Sequence, residues 1–259
     1  MKRDGIIRFV LAGFWILLLG VLCAVPVCST NPRSFDNKKD MELSEGGETA
    51  TVIFSHGLGD TPNGWLPVAK MMKPLHGNVR WILPCAPNNP VTVNGGMRMT
   101  SWMDILEIPI SIKSPDNGKD IDASVEIIHK IIDAEIERGT PANRIVVGGF
   151  SQGAALAPVA ALRYTKAKLG GIIMFSGWAL PKQNLAELAA ASKSNGIPVL
   201  IGHGDSDQVV LYENAGNVAE IFHGAGFSDV TVKTYKGLGH GSCPSETDDL
   251  SAWIGRVLA

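Results

Sequence analysis

From residue 49 onward, short wholly apolar runs alternate with longer stretches in which apolar residues recur every three or four positions. The first kind predicts strands buried on both faces, and the second predicts amphipathic helices. "TATVIFSHG" is a β-branched run that enters a loop at His56-Gly57, and "VRWILP" is a second strand stopped by Pro84. Between them, "NGWLPVAKMMKPLH" reads as a helix. In "DIDASVEIIHKIIDAEIERG", Val125, Ile128, Ile131, Ile132 and Ile136 share one helical face, with Gly139 just past the end. "RIVVGGF" is again wholly apolar. The stretch after it, "QGAALAPVAALRY", predicts a helix of small residues that must contain or bend at Pro158. Strand "GGIIMFSG", helix "NLAELAAASKSN", strand "IPVLIGHGD", helix "LYENAGNVAEIFHGAG" and strand "VTVKTY" continue the alternation. A last helix opens on Ser245-Glu246-Thr247-Asp248, a capping-box pattern, and presents Leu250, Trp253, Ile254, Val257 and Leu258 to the core. Strands and helices in this order predict an α/β fold, a mostly parallel central sheet with helices on both faces. In such sheets, sites gather at the carboxyl ends of the strands.

Two segments break the pattern. The first is a loop from Cys85 to about Lys119, rich in apolar residues such as Met97, Met99, Trp102, Leu106 and Ile108. Loops this long are usually functional, and these side chains are too numerous for a solvated surface. They either pack on the core or line a groove, and the groove is the favoured reading. "SGWALP" sets Trp178 and Leu180 at another strand end on the same rim. Trp102, Leu106, Ile108, Trp178 and Leu180 are therefore the candidate substrate-binding residues.

The second is the N-terminus. Residues 9–25, "FVLAGFWILLLGVLCAV", carry no charge and follow a basic start. Residues 1–29 fit a secretory signal peptide or a signal anchor. Residues 30–48 are polar, with Pro and Gly, and read as a tether; residues 49–259 form the domain. Lys2, Arg3 and Arg8 favour a cytosolic N-terminus, which would place the domain on the far side of a membrane. Membrane association and secretion after cleavage are both open.

Composition narrows the class. With 259 residues and 45% hydrophobic content, one substantial core is the default, and a net charge of −2 gives no sign of nucleic-acid binding. The four cysteines, Cys23, Cys28, Cys85 and Cys243, make neither a disulfide framework nor a zinc pair. Cys23 and Cys28 could carry lipid if they face the cytosol.

The candidate chemistry starts at "GGFSQGAALA". Gly149-Phe150-Ser151-Gln152-Gly153 reads G-x-S-x-G, the spacing of a strand-to-helix elbow with a nucleophilic serine at its tip. A serine hydroxyl needs a base, and the base needs a carboxylate to fix its tautomer. "HGDSDQVV" supplies Asp205 or Asp207 after one strand, and "GLGHGSC" supplies His240 after another. The order Ser, Asp, His suits an elbow serine. The N–H of Gln152, next to the serine, and that of Leu58 in "HGLGD" are the candidate oxyanion donors. His56 and His203 end strands and are read as structural; His76, His129 and His223 are read as solvent-facing.

"SHGLGDTPNGW", "GGFSQGAALA", "GDSDQVV" and "YKGLGHGSCPSE" together resemble the acyl-protein thioesterase and lysophospholipase family of carboxylesterases, in order, from about residue 49 to the C-terminus. "TVNGGMRMTSWMDI" is similar as well, with Met103 where phenylalanine is usual. The resemblance implies an α/β-hydrolase fold, Ser151 as nucleophile, Asp207 as acid, His240 as base, and Leu58 and Gln152 as oxyanion donors. It implies hydrolysis of palmitoyl thioesters on protein cysteines, often of lysophospholipids and small esters too, with no metal or organic cofactor. The family's setting is cytosolic, and the apolar N-terminus departs from it. A general carboxylesterase without a protein substrate would use the same residues. A binding protein that had lost catalysis would not need Ser, Asp and His all intact.

Overall fold

The computed structural model describes residues 40–259. In chain order the strands are β1 (Met41–Leu43), β2 (Ala50–Ser55), β3 (Val79–Leu83), β4 (Asn88–Val91), β5 (Met97–Thr100), β6 (Ile145–Phe150), β7 (Gly171–Phe175), β8 (Val199–Gly204) and β9 (Val230–Tyr235). The helices are α1 (Pro62–Leu75), α2 (Ile121–Glu137), α3 (Gln152–Arg163), α4 (Leu185–Ala191), α5 (Glu213–Gly224) and α6 (Pro244–Val257).

Seven strands form one sheet in the order β1-β3-β2-β6-β7-β8-β9. All neighbours run parallel except β1, which lies antiparallel on β3 with Met41 opposite Leu83. Strand alternation divides the core in two. Ile53, Val147, Ile172, Met174 and Ile201 face the side covered by α2, α3, α4 and α5. Val52, Phe54, Val146, Ile173, Phe175 and Leu200 face Trp65, Ala69 and Met72 of α1 and Leu250, Trp253 and Ile254 of α6. On that second side Phe54 meets Trp65 with ring centroids 4.5 Å apart. Each such apolar side chain, fully buried, contributes about 1.5–3 kcal/mol. The central strands need apolar residues at every position for this reason.

Three expectations change, and one lies outside the described residues. Residues 41–43, part of the stretch read as a tether, pair as an edge strand. The apolar run 9–25, and with it the reading of residues 1–29, lies outside the described residues. No helix among the described residues is long and apolar enough to cross a membrane. The capping box does not form: α6 begins one residue earlier, with Pro244 in its first turn and Cys243 at the N-cap without a side-chain hydrogen bond. Proline's fixed φ suits that first turn, and Glu246 turns inward to near-complete burial. Finally, much of the 85–119 loop is ordered. β4 and β5 form a separate hairpin, and Val91, Trp102, Met103, Ile105 and Ile110 are buried in the core. Pro158 sits inside α3. Of the two cysteines among the described residues, Cys243 is a free thiol and Cys85 is disulfide-bonded.

Candidate active site

Ser151 stands between the end of β6 and the first residue of α3, with φ 53° and ψ −117°. This is left-handed backbone that a non-glycine residue adopts only when its surroundings impose it. The surroundings do so here. The Ser151 N–H donates to the Phe175 carbonyl at 2.8 Å, and Ser151 O accepts from Ala155 N at 3.0 Å. Gly149 and Gly153 allow the reversal. A Cβ on Gly153 would lie 2.2 Å from Ser55 O, and one on Gly149 would lie 2.4 Å from the Gly153 carbonyl carbon. The two glycines of G-x-S-x-G are thus fixed by the close approach of helix to sheet.

Loops after β8 and β9 bring the other two groups to the same strand ends. Ser151 Oγ is 2.9 Å from His240 Nε2, and His240 Nδ1 is 2.7 Å from Asp207 Oδ2. With Asp207 ionised, the Nδ1–H donates to it, which leaves Nε2 free to accept the serine proton. The Phe150 ring packs on the imidazole at a centroid distance of 4.9 Å. Asp207 is buried, and its Oδ1 accepts from Val209 N at 2.8 Å and Val210 N at 2.9 Å. Burial alone would raise its pKa. Hydrogen bonds from His203, His240 and the Val209 N–H outweigh that and hold the carboxyl well below the usual carboxylate range. Asp205 instead closes the turn, where its Oδ1 accepts from Gly237 N at 2.6 Å and from Ser206 Oγ at 3.0 Å. Asp207, not Asp205, meets the histidine.

The "HGLGD" loop packs against the serine, since a Cβ on Gly57 would lie 3.3 Å from Ser151 Cβ. Gly59 N donates to Thr100 O at 2.8 Å and Asp60 N to Gly57 O at 3.2 Å. Among the described residues, the N–H groups of Leu58 and Gln152 make none of the backbone turn and cap hydrogen bonds. Gln152 N opens a helix, where N–H groups have no intrahelical partner. Both are therefore suited to an incoming oxyanion.

Two residues hold this arrangement: Gln152, whose side-chain role the sequence did not signal, and His56, which is structural as its place at a strand end suggested. The Gln152 side chain is fully buried: its Oε1 accepts from Trp102 N at 2.8 Å, and its Nε2 donates to Ser101 Oγ at 2.9 Å and Met103 O at 2.6 Å. His56 accepts from Ala86 N at 3.1 Å, so its Nδ1–H donates to Gly57 O at 2.8 Å. Burial holds its pKa down, in keeping with a neutral, structural ring. The other histidines also bond: His76 to Ser251, His129 to Ala160 O and His223 to Phe227 O. His76 and His129 are half-buried instead of solvent-facing, and only His223 is exposed.

The five substrate-binding candidates separate. Leu106, Trp178 and Leu180 line a small, shallow cleft together with Ile105 and Ile110, and Asp104, Glu107 and Asp116 share its wall. Trp102 does not; it is fully buried, with its indole N–H donating to His56 O at 2.9 Å. A buried tryptophan whose N–H is satisfied by backbone is a core residue. Ile108 is 39% exposed, outside the cleft wall. Among the described residues, no group of three or more His, Cys, Asp or Glu could hold a metal ion.

Residues 37–258 match the phospholipase/carboxylesterase family model. The chain is 38% identical to acyl-protein thioesterase 1 of Cryptococcus neoformans over 234 residues, covering 85% of this chain and 98% of that one. It is 41% identical to acyl-protein thioesterase 1 homolog 1 of Dictyostelium discoideum over 212 residues, covering 81% and 91%. Among solved structures, Arabidopsis thaliana SOBER1 superposes with a TM-score of 0.75 at 33% identity, covering 81% of this chain and 99% of that one.

Proposed function

Because the chain belongs to the phospholipase/carboxylesterase family of α/β-hydrolases, we propose that it removes long acyl chains from cysteine thiols of proteins, with Ser151 as nucleophile. That the chain is a hydrolase of the acyl-protein thioesterase and carboxylesterase kind follows from the family. The observation that carries the proposal is the continuous hydrogen-bond chain Ser151–His240–Asp207 at 2.9 Å and 2.7 Å.

In this mechanism His240 Nε2 takes the Ser151 proton as Oγ attacks the acyl carbonyl. The positive charge that forms on His240 faces Asp207, whose ionisation at neutral pH the low pKa secures. The carbonyl oxygen becomes an oxyanion and meets the N–H groups of Leu58 and Gln152. One such donor is typically worth about 3 kcal/mol of barrier. The intermediate collapses, the carbon–sulfur bond breaks, and the thiol leaves with the proton from His240. Water, activated by the same ring, then attacks the acyl-serine and releases the fatty acid.

The apolar side chains of Leu106, Trp178 and Leu180 on one part of that cleft support a long-chain preference, since each buried methylene adds roughly 0.8 kcal/mol. The oxygen ester of a lysophospholipid presents the same carbonyl to Ser151, and a family described as phospholipase/carboxylesterase supports it as a second substrate. Substrates of either kind lie at membranes, where an apolar segment such as residues 9–25 would hold the enzyme. The test is kcat/KM over a thioester series from acetyl to palmitoyl, kept below micelle formation and compared with a palmitoyl-cysteine peptide and a short aryl ester. The proposal expects a rise with chain length and turnover of the peptide. A maximum at acetyl with no peptide turnover would make the protein a general carboxylesterase.

A further inference from the structure

Behind Asp207 lies a second histidine. His203, at the end of β8, is wholly buried, and its Nε2 sits 2.8 Å from Val210 O and 3.3 Å from Asp207 Oδ2. Both neighbours are oxygens that only accept, so Nε2 carries the proton, donates it to Val210 O, and keeps the same N–H within ion-pair distance of Asp207 Oδ2. Asp207 Oδ2 thus lies between two imidazole N–H groups, that of His240 at 2.7 Å and that of His203 at 3.3 Å. Resting on the reading of Ser151, His240 and Asp207 given above, we propose that His203 is a positioning residue of the reaction: it holds Asp207 Oδ2 on the His240 side and tempers that oxygen's basicity.

The groups around His203 support a neutral ring. Its Nδ1 is buried without a hydrogen-bond partner, a state far cheaper for a lone pair than for a charged N–H. Tyr212 meets the ring edge-on with centroids 6.0 Å apart. On the α6 side, Glu246 lies within electrostatic reach of His203 and beside Tyr235, Asp249 and Cys243. Burial pushes Glu246 up to about 7. Below neutrality Glu246 is therefore largely protonated and adds no full negative charge beside Asp207 and His203.

Removing the His203 donor leaves Oδ2 more basic. The imidazolium form of His240 is then stabilised more strongly, and the acid limb of kcat/KM moves to higher pH. A residue that only filled space would lower stability without moving that limb. The decisive comparison is the pH profile of wild type, His203→Phe and His203→Gln. Phenylalanine deletes the donor, and the expected result is an acid limb raised by about half a pH unit or more, with kcat down about tenfold. Glutamine can present an amide N–H near the Nε2 position, and its limb should return to that of wild type. Coincident limbs in all three, or equal shifts in both variants, overturn the inference. If the phenylalanine variant does not fold, the ring ¹⁵N spectrum of wild type decides, with His203 assigned through the glutamine variant. The Nε2–H tautomer is expected at neutral pH, and the Nδ1–H tautomer would overturn the inference. Failure of the underlying reading would look different: wild type would not react at Ser151 with a fluorophosphonate.

Discussion

Replacing Gln152 by leucine removes the side chain that ties the 101–103 segment to the start of α3. The backbone N–H of residue 152 stays in place. Trp102 N loses its partner at 2.8 Å and becomes a buried orphan donor, at a cost of about 1–3 kcal/mol. Met103 O loses the Nε2 donor but keeps Ser101 Oγ at 2.6 Å, and Ser101 Oγ loses one bond at 2.9 Å. Those two losses together cost about 1 kcal/mol. The sum, about 2–4 kcal/mol, corresponds to a Tm lower by roughly 5–15 °C in a domain of this size. Calorimetry on wild type and variant at one pH measures it. Because the segment also flanks the cleft, kcat/KM for palmitoyl thioester should fall more than that for acetyl thioester. A Tm within about 2 °C of wild type would refute the view that this buried amide holds the loop.

Other outcomes follow from the same geometry. Asp207→Asn should lower kcat by about 10⁴-fold by disturbing the His240 tautomer, and Asp205→Asn should lower it far less; rates of both variants on one thioester settle the order. Gly153→Ala should be severely destabilised, because its Cβ would sit 2.2 Å from Ser55 O, and the soluble yield and denaturant midpoint report this. Glu246 binds its proton more tightly when folded, with a pKa of about 7 against an ordinary 4.5. Its contribution to stability is therefore complete below the unfolded value and is lost as pH rises through about 7. At about 1.4 kcal/mol per pH unit the loss reaches roughly 3 kcal/mol. Glu246→Gln should flatten the fall in stability between about pH 5 and 8, as read from urea midpoints.

The central strands were legible because burial on both faces demands unbroken apolar runs, and "RIVVGGF" or "GIIMF" has no other economical reading. The elbow was legible because its glycines and serine are contiguous. Asp207 and His240 were legible because each follows a strand, where a parallel sheet collects its loops. What escaped depends on partners distant in sequence. β1 is a three-residue strand that exists only because β3 offers an edge. Gln152 and Trp102 are fifty positions apart, and nothing local marks the amide as a brace or the indole as core. Apolar content in the 85–119 loop signalled burial but not its destination. Val91, Trp102 and Met103 went inward, while Met97 and Ile108 stayed exposed. A proline one residue ahead of a good capping box moved the start of α6, because the restricted φ of Pro244 already suited a first helical turn.

Intact-mass spectrometry after reaction with a fluorophosphonate tests most directly whether Ser151 is the nucleophile. Wild type should gain one adduct, mapped to the peptide carrying Ser151, with loss of thioester hydrolysis in step with labelling. Ser151→Ala should gain none and should keep the wild-type Tm. An adduct on Ser151→Ala at the wild-type rate, or retention of more than about a tenth of wild-type hydrolysis by that variant, would contradict the assignment of Ser151.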